Sequence, residues 1–209
     1  MSVLHRKTKR NYLGCVNGFP KAKATRVVKQ FGYDYWDGAR KYGYGGYQYD
    51  GRWRIVAESL VRHYELVSWN RILDIGRGKA FLIYKITQIA LGIKIYGVDV
   101  SKYVIENAKP EVKNNLQLAS AAELPYADQS FDLVISIATL HNQYCYDLEL
   151  LLSETERVGK KHKYVVVESY RTEEEKANYY TGNQHVNRFT PRKNESSGLQ
   201  NAIILVIIH

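Results

Sequence analysis

A short apolar run that ends in two glycines constrains the fold of this chain more than any other feature. Residues 71–80 read Arg-Ile-Leu-Asp-Ile-Gly-Arg-Gly-Lys-Ala. The apolar part is typical of a parallel strand that is covered on both faces, and the glycines allow positive φ and the close approach of a ligand. A helix predicted at about 79–91 would point its free N–H groups at that ligand. The segment therefore predicts the entry to a nucleotide-type pocket.

Strands and helices are predicted to alternate along the chain from residue 70, after a first helix at 52–66. Strands are expected at 71–75, 94–98, 115–118, 133–137 and 164–168, and helices at 79–91, 102–109 and 147–157 and from about 172. Such alternation implies an α/β fold with a doubly wound, mostly parallel sheet and right-handed crossovers. Ligands bind such sheets beyond the carboxyl ends of the strands, so the functional residues are expected there.

The charge of the chain is concentrated at its two ends. The formal net charge is +9, yet residues 31–178 hold 19 basic and 20 acidic side chains, so the centre is close to neutral. We expect residues 1–30 to form a basic disordered arm, 54–178 the ligand-binding domain and 179–209 an atypical tail. A basic arm can contact phosphate groups, but a solvated extension is the more common role of such a run.

Residues 31–53, here called the lid segment, are rich in tyrosine and glycine. Turns are favoured there over regular helix. Two roles fit this composition about equally well. The segment either folds over a ligand, with Tyr44, Tyr47 and Arg52 as candidate contacts, or packs its rings on the core as a surface loop.

The sequence disfavours membrane-spanning, secreted and metal-dependent proteins. No apolar stretch approaches the roughly 18 residues of a membrane span, and the first ten residues lack the apolar part of a signal peptide. Cys15 and Cys145 lie far apart and have no metal-ligand spacing. We therefore predict a cytoplasmic protein without a metal site.

The kind of nucleotide depends on Asp99 and Phe81. Asp99 closes the second predicted strand, 21 residues after Gly78, where an acid can accept hydrogen bonds from both ribose hydroxyls. A dinucleotide-binding turn would have its third small residue at position 81, and Phe81 is too large for a pyrophosphate to pass closely. The turn therefore argues against NAD.

Five stretches, in their order and at their intervals, resemble the motifs of class I S-adenosylmethionine-dependent methyltransferases. They are Leu73–Gly78, Gly97–Ser101, Ala121–Tyr126, Ser130–Ser136 and Leu140–Asn142. The lid segment resembles the N-terminal part of a small bacterial subgroup, some members of which occur with surface-polysaccharide genes. The resemblance implies a Rossmann-like fold and S-adenosylmethionine as the cofactor.

The resemblance also implies which residues hold the methionine and ribose parts of the cofactor. Asp74 is expected to help hold the methionine ammonium, and Asp99 to hold the ribose. The turn Gly76–Gly78 is expected to lie beneath both parts, because the glycines Gly76 and Gly78 carry no side chain.

The adenine and the methyl group are expected to meet residues farther along the chain. By the same resemblance, Ser120 and Ala121 face the adenine, and the strand end from Ile137 to His141 flanks the methyl group. His141 is the candidate general base if the acceptor is a hydroxyl; its alternative role is only to shape the pocket.

The function expected from the resemblance is in-line methyl transfer to a small molecule, such as a sugar or another hydroxylated metabolite. One alternative is a degenerate relative with weak or no activity. Another is a nucleic-acid methyltransferase, which is less favoured because the centre of the chain is neutral and lacks an Asn-Pro-Pro-Tyr-type motif.

The chain departs from the family pattern at four places. Arg77 and Ala80 replace small residues or glycine in the turn, and Ser120 replaces an acid or amide. A guanidinium at position 77 would be unfavourable beside a cationic cofactor unless it points to solvent. In the tail, the C-terminal hairpin of the family is expected to be truncated or replaced, as by a reading-frame slip, with the apolar run 202–208 as a substitute strand.

Overall fold

The computed structural model describes residues 21–139, 145–169, 177 and 202–208. The helices are α1 (Lys21–Val28), α2 (Tyr33–Trp36), α3 (Arg54–His63), α4 (Phe81–Ile89), α5 (Lys102–Glu106), α6 (Pro110–Lys113) and α7 (Cys145–Val158). The strands are β1 (Arg71–Ile75), β2 (Lys94–Asp99), β3 (Leu116–Leu118), β4 (Phe131–Ile137), β5 (Gly159–Ser169) and β6 (Ala202–Ile208).

The strands form one parallel sheet in the order β3-β2-β1-β4-β5-β6. In the register of the central strands, Ile72 lies opposite Ile95 on one side and Leu133 on the other. The strand order reverses between β1 and β4, which is the switch point at which α/β sheets bind ligands. The predicted doubly wound α/β fold is therefore confirmed.

The core lies on both faces of this sheet because side chains alternate along each strand. Ile72 and Leu133 pack on one face with Ile83 of α4, and Leu73 and Val134 pack on the other. All five side chains are fully buried. The two apolar layers fix the strand ends, and with them the loops that carry the site.

The helix predicted at 102–109 is shorter in the structure and is followed by a second helix. Ser101 caps α5, its Oγ accepting a hydrogen bond of 3.3 Å from the Val104 N–H. α5 ends at Glu106. Pro110 occupies the first turn of α6, where a residue without an N–H is tolerated. The proline therefore begins a new helix after α5 has ended.

The expectation of a disordered arm over residues 1–30 is wrong for its last part. Residues Lys21–Val28 form α1, in which Ala24 and Val28 are fully buried. These two apolar residues lie four apart and therefore on one helical face. Val28 packs with Tyr35 and Trp36 of the lid segment. The burial of these apolar side chains stabilises α1, although residues 1–30 are basic overall. Residues 1–20 lie outside the described part of the chain.

The apolar run near the end of the chain forms β6, parallel to β5 at the edge of the sheet, with Ala202 opposite Lys163. This is the substitute strand that the sequence predicts. The rest of the predicted tail and most of the helix expected from residue 172 lie outside the described ranges. None of the described helices is long and apolar enough to cross a membrane.

Candidate active site

A cavity of about 410 Å³ lies at the carboxyl ends of β1, β2 and β4. Its floor is the turn after β1 and its walls are the ends of the three strands. The lid segment covers its other side, with Trp36, Tyr44 and Tyr47 among the lining residues. The cavity is therefore where the strand order predicts a ligand site.

The floor of the cavity requires glycine at two positions. Gly76 and Gly78 have φ of 70° and 56°, values that residues with a Cβ rarely adopt. A Cβ on Gly76 would overlap the Thr139 side chain, and one on Gly78 would lie 3.2 Å from the Trp36 ring. The absence of side chains at these two positions therefore lets Thr139 and Trp36 pack directly against the turn.

Asp99 is held in place by backbone N–H groups. Its two carboxylate oxygens accept hydrogen bonds of 3.0 Å from Gly78 and 2.9 Å from Ser101. Burial raises the pKa of Asp99, although these hydrogen bonds oppose the rise. The carboxylate is oriented before any ligand arrives, at the position expected to bind a ribose.

Asp74 is a buried acid at the centre of the floor, 3% exposed. Burial raises its pKa to about 7; Arg77 opposes the rise and the nearby charge of Asp99 adds to it. Asp74 is therefore easily protonated in the free protein, and a cationic ligand group would favour its ionised form.

Arg77 points inward, in contrast to the solvent-facing conformation that would suit a cationic ligand. Its side chain is buried and lines the cavity. A Cβ on Gly97 of β2 would overlap the Arg77 Cδ, so the absence of a side chain at position 97 makes this conformation possible. Burial lowers the pKa of Arg77, and the charges of Asp99 and Asp74 oppose the change.

Ala80 keeps the backbone conformation that usually favours glycine. It has φ of 62° and ψ of 27°, in the left-handed region, directly before α4, and it is fully buried. An alanine costs about 1–2 kcal/mol in this region. An alanine is therefore tolerated at position 80 at the cost of local backbone strain.

The aromatic rings of the lid segment pack on the domain and on one another. Trp36 and Tyr44 are stacked, with ring centroids 5.1 Å apart and planes 4° apart. Tyr47 stacks on Phe81 of α4 at 5.0 Å. Rings of this segment therefore both pack on the core and line the cavity, and contact with a ligand stays a prediction.

An ion pair between Asp37 and the buried Lys79 connects the lid segment to the glycine turn. Lys79 Nζ lies 2.6 Å from one Asp37 oxygen, and the Tyr103 hydroxyl donates to the same oxygen at 2.6 Å. The Tyr47 N–H donates to the other oxygen at 2.9 Å. Burial raises the pKa of Asp37, but the hydrogen bonds from Lys79, Tyr103 and Tyr47 outweigh this, so the pKa is lowered. Asp37 is therefore ionised at neutral pH.

Most of the predicted site residues come together in this cavity. Those that line it are Asp74, Gly76, Gly78, Asp99, Ala121, Ile137, Tyr44, Tyr47 and Arg52. Ser120 is not among the lining residues; its hydroxyl accepts a hydrogen bond of 3.2 Å from the Ala122 N–H. His141 lies outside the described residues.

The cavity also has walls that the sequence did not single out as candidate contacts. They include Trp36, Arg40 and Gln48 of the lid segment. The composition of that segment was the signal available for them. Thr139, in the strand end expected to flank the methyl group, also lines the cavity. Its hydroxyl donates toward backbone oxygens at the ends of β1 and β4, 3.2 Å from Ile75 O.

The residues present fit S-adenosylmethionine. This cofactor carries an ammonium group and a ribose diol, for which Asp74 and Asp99 are suitable acceptors. Its flat adenine requires an apolar wall, and Val98, Ala119 and Ala121 line the cavity next to Asp99. The side chain of Arg77 also lines the cavity.

Comparison with known proteins identifies the family. The sequence model of a family described as a methyltransferase domain matches residues 67–200. The ubiquinone/menaquinone biosynthesis C-methyltransferase UbiE of Geotalea uraniireducens is 30% identical over 131 residues, or 59% of this chain and 54% of that protein. The corresponding Citrifermentans bemidjiense protein is 29% identical over the same shares. This chain thus spans about half the length of these curated relatives.

A solved structure agrees with the fold. The structure from Methanococcus maripaludis, assigned as an S-adenosyl-L-methionine-dependent methyltransferase, is 17% identical and has a TM-score of 0.50. The similarity covers 77% of this chain and 66% of that one, and at this identity it shows the fold. Because the family match covers more than half of the chain and the sheet order agrees, this chain belongs to the methyltransferase-domain family and has the class I fold.

Proposed function

We propose that this chain transfers a methyl group from S-adenosylmethionine to a small hydroxylated molecule, such as a sugar or another metabolite. The main support for the proposal is the cavity itself, in which Asp74, Asp99 and the glycine turn lie together under the aromatic rings of the lid segment. The family match supports the reaction type. The aromatic walls and the neutral centre of the chain favour a small acceptor over a nucleic acid.

In this proposal the two carboxylates bind the cofactor. Asp74 accepts from its ammonium group, and Asp99, already oriented by two backbone N–H groups, accepts from its ribose hydroxyls. Ala121 borders the adenine, and Ile137 borders the methyl group. When bound, S-adenosylmethionine supplies a methyl group that its sulfonium has already activated for displacement.

The other residues orient the acceptor and keep water out. Tyr44, Tyr47 and Arg52 would contact the acceptor from the lid side. The acceptor oxygen would bond to the methyl carbon as the carbon–sulfur bond breaks, and the electrons of that bond would go to the sulfur. The hydroxyl proton leaves to a base, for which His141 remains our candidate.

A methyl-transfer assay tests the proposal. The chain is incubated with cofactor labelled on its methyl group and with three kinds of acceptor: sugars, hydroxylated aromatic rings and short RNA. We expect label on a small acceptor, with loss of the signal in Asp99→Ala. Label on RNA alone, with a strong salt dependence, would instead support the nucleic-acid alternative.

The aromatic acceptors belong in this panel for a specific reason. The two curated relatives are named as C-methyltransferases of quinone biosynthesis, and the stacked pair Trp36–Tyr44 offers a flat surface to a ring. Methylation of a hydroxylated aromatic ring at carbon is therefore the second candidate. The site of the label on the product, carbon or oxygen, distinguishes it from the first.

A further inference from the structure

A buried cation lies inside the proposed cofactor pocket. The Arg77 side chain is 6% exposed and lines the cavity. Its Nη1 donates a hydrogen bond of 2.9 Å to Gly78 O, whereas Nε and Nη2 are buried without a partner among the described residues. Since an arginine stays protonated in proteins, the pocket holds a permanent positive charge with unused donors.

The inward conformation of Arg77 is part of the packing of the sheet. A Cβ built on Gly97 would overlap the Arg77 Cδ and would also lie 3.0 Å from Leu116 Cδ2. The side chain therefore occupies the space that a glycine in β2 leaves, bounded by β3. An outward rotation would empty that space, so the guanidinium is held at the pocket by the fold.

The other cations that line the cavity are less able to influence a ligand. Arg52 is exposed and forms an ion pair with Asp50. Arg40 is exposed as well, and its Nη1 donates to two backbone carbonyl groups. Water and salt screen such surface charges much more than they screen a buried one. Arg77 is therefore the least screened cation of the cavity lining, and the carboxylates of Asp74 and Asp99 lie close enough to stabilise its charge.

The substrate and product forms of the cofactor differ in charge at one atom. S-adenosylmethionine carries a positive sulfonium, and S-adenosylhomocysteine has a neutral thioether at the same place. Their adenosine, ammonium and carboxylate groups are identical. A buried cation repels the sulfonium and leaves the thioether unaffected, and its unused N–H groups can interact equally with either carboxylate. The presence of a cation therefore changes the ratio of the two affinities.

We infer that Arg77 is a specificity-determining residue that biases this pocket toward ligands with a neutral sulfur, against ligands with a cationic centre at that position. The inference rests on the proposed function, because it assumes that the cavity binds this cofactor. Its consequence is that the thioether product competes more effectively with S-adenosylmethionine for the pocket, so product inhibition is stronger in the natural chain. A neutral residue at position 77 relieves this inhibition.

The experiment compares dissociation constants measured by calorimetry. The ligands are S-adenosylmethionine, S-adenosylhomocysteine and sinefungin, an analogue with an ammonium group near the sulfonium position. The proteins are the natural chain, Arg77→Met, Arg77→Lys and the control Arg54→Gln, which removes an equal charge from an exposed residue of α3. We expect Arg77→Met to shift the affinity ratio toward the two cationic ligands by about tenfold. Arg77→Lys and Arg54→Gln should keep the ratio of the natural chain within about twofold.

The outcomes separate this inference from the function on which it rests. If none of the three ligands binds at millimolar concentration, the proposed function fails. If all three bind and Arg77→Met leaves their ratio unchanged, only the inference fails. The natural chain alone is also decisive, because tighter binding of sinefungin than of S-adenosylhomocysteine would overturn the inference even if Arg77→Met did not fold.

Discussion

At the scale of single residues, Asp74 lines the cavity but destabilises the folded state when it is ionised. It is buried on the floor of the cavity, and its pKa is raised from 3.8 to about 7, with burial as the main cause. Between these two values the folded protein binds a proton that the unfolded chain has released. Stability therefore falls as pH rises through this window.

Replacement of Asp74 removes this dependence on pH. We expect Asp74→Asn to be more stable than the natural chain at pH 8, by up to about 4 kcal/mol, and to differ little from it at pH 4. The same variant should lose cofactor binding. Urea unfolding at several pH values measures the effect, with the exposed residue Asp34 changed to Asn as the control. A constant difference across the pH range would contradict the assignment.

The strain at Ala80 predicts an unusual response to glycine. Ala80→Gly removes a buried methyl group, which costs about 0.8 kcal/mol, but it relieves a left-handed conformation that costs about 1–2 kcal/mol. Because the greater freedom of glycine in the unfolded chain costs roughly a further 0.4–1 kcal/mol, we expect a net change within about 0.8 kcal/mol. Ala57, equally buried but inside α3, is the matched control. Ala57→Gly should cost about 1.5–2 kcal/mol, and equal losses at the two positions would refute the strain.

At the scale of elements, the lid segment depends on one carboxylate. Asp37 connects it to Lys79 of the glycine turn and to Tyr103 of α5. The Lys79 side chain is 7% exposed, so loss of its partner would leave a charge buried alone. The position of the aromatic rings over the cavity is therefore coupled to this ion pair.

Removal of Asp37 should destabilise the protein and loosen the lid. We expect Asp37→Ala to cost about 3 kcal/mol or more, and the double variant with Lys79→Met to recover much of the loss. The exposed pair Asp50–Arg52 provides the control, since Asp50→Ala should cost less than about 1 kcal/mol. Chemical unfolding, monitored by tryptophan fluorescence, gives the free energy of unfolding of each variant. Additive effects of the Asp37 and Lys79 changes would show that the pair is not coupled.

At the scale of the whole molecule, the sheet could be predicted because each strand is marked by a short stretch of neighbouring residues in the sequence. The strands 71–75 and 94–98 are apolar runs bounded by polar or glycine residues, and they are found within one residue. The inward direction of Arg77 could not be predicted, because it depends on Gly97 in a neighbouring strand. The attachment of the lid segment could not be predicted either, since Asp37 forms hydrogen bonds with Lys79 and Tyr103, which lie 42 and 66 residues away in the chain.

We propose above that the cavity at the ends of β1, β2 and β4 binds S-adenosylmethionine. A calorimetric titration of the natural chain and of Asp99→Ala with this cofactor is the decisive measurement. We expect one site per chain with a micromolar dissociation constant, weakened at least tenfold in Asp99→Ala, a loss typical of a missing hydrogen bond to a charged group. No heat of binding at millimolar cofactor, or equal affinity in the two proteins, would contradict it.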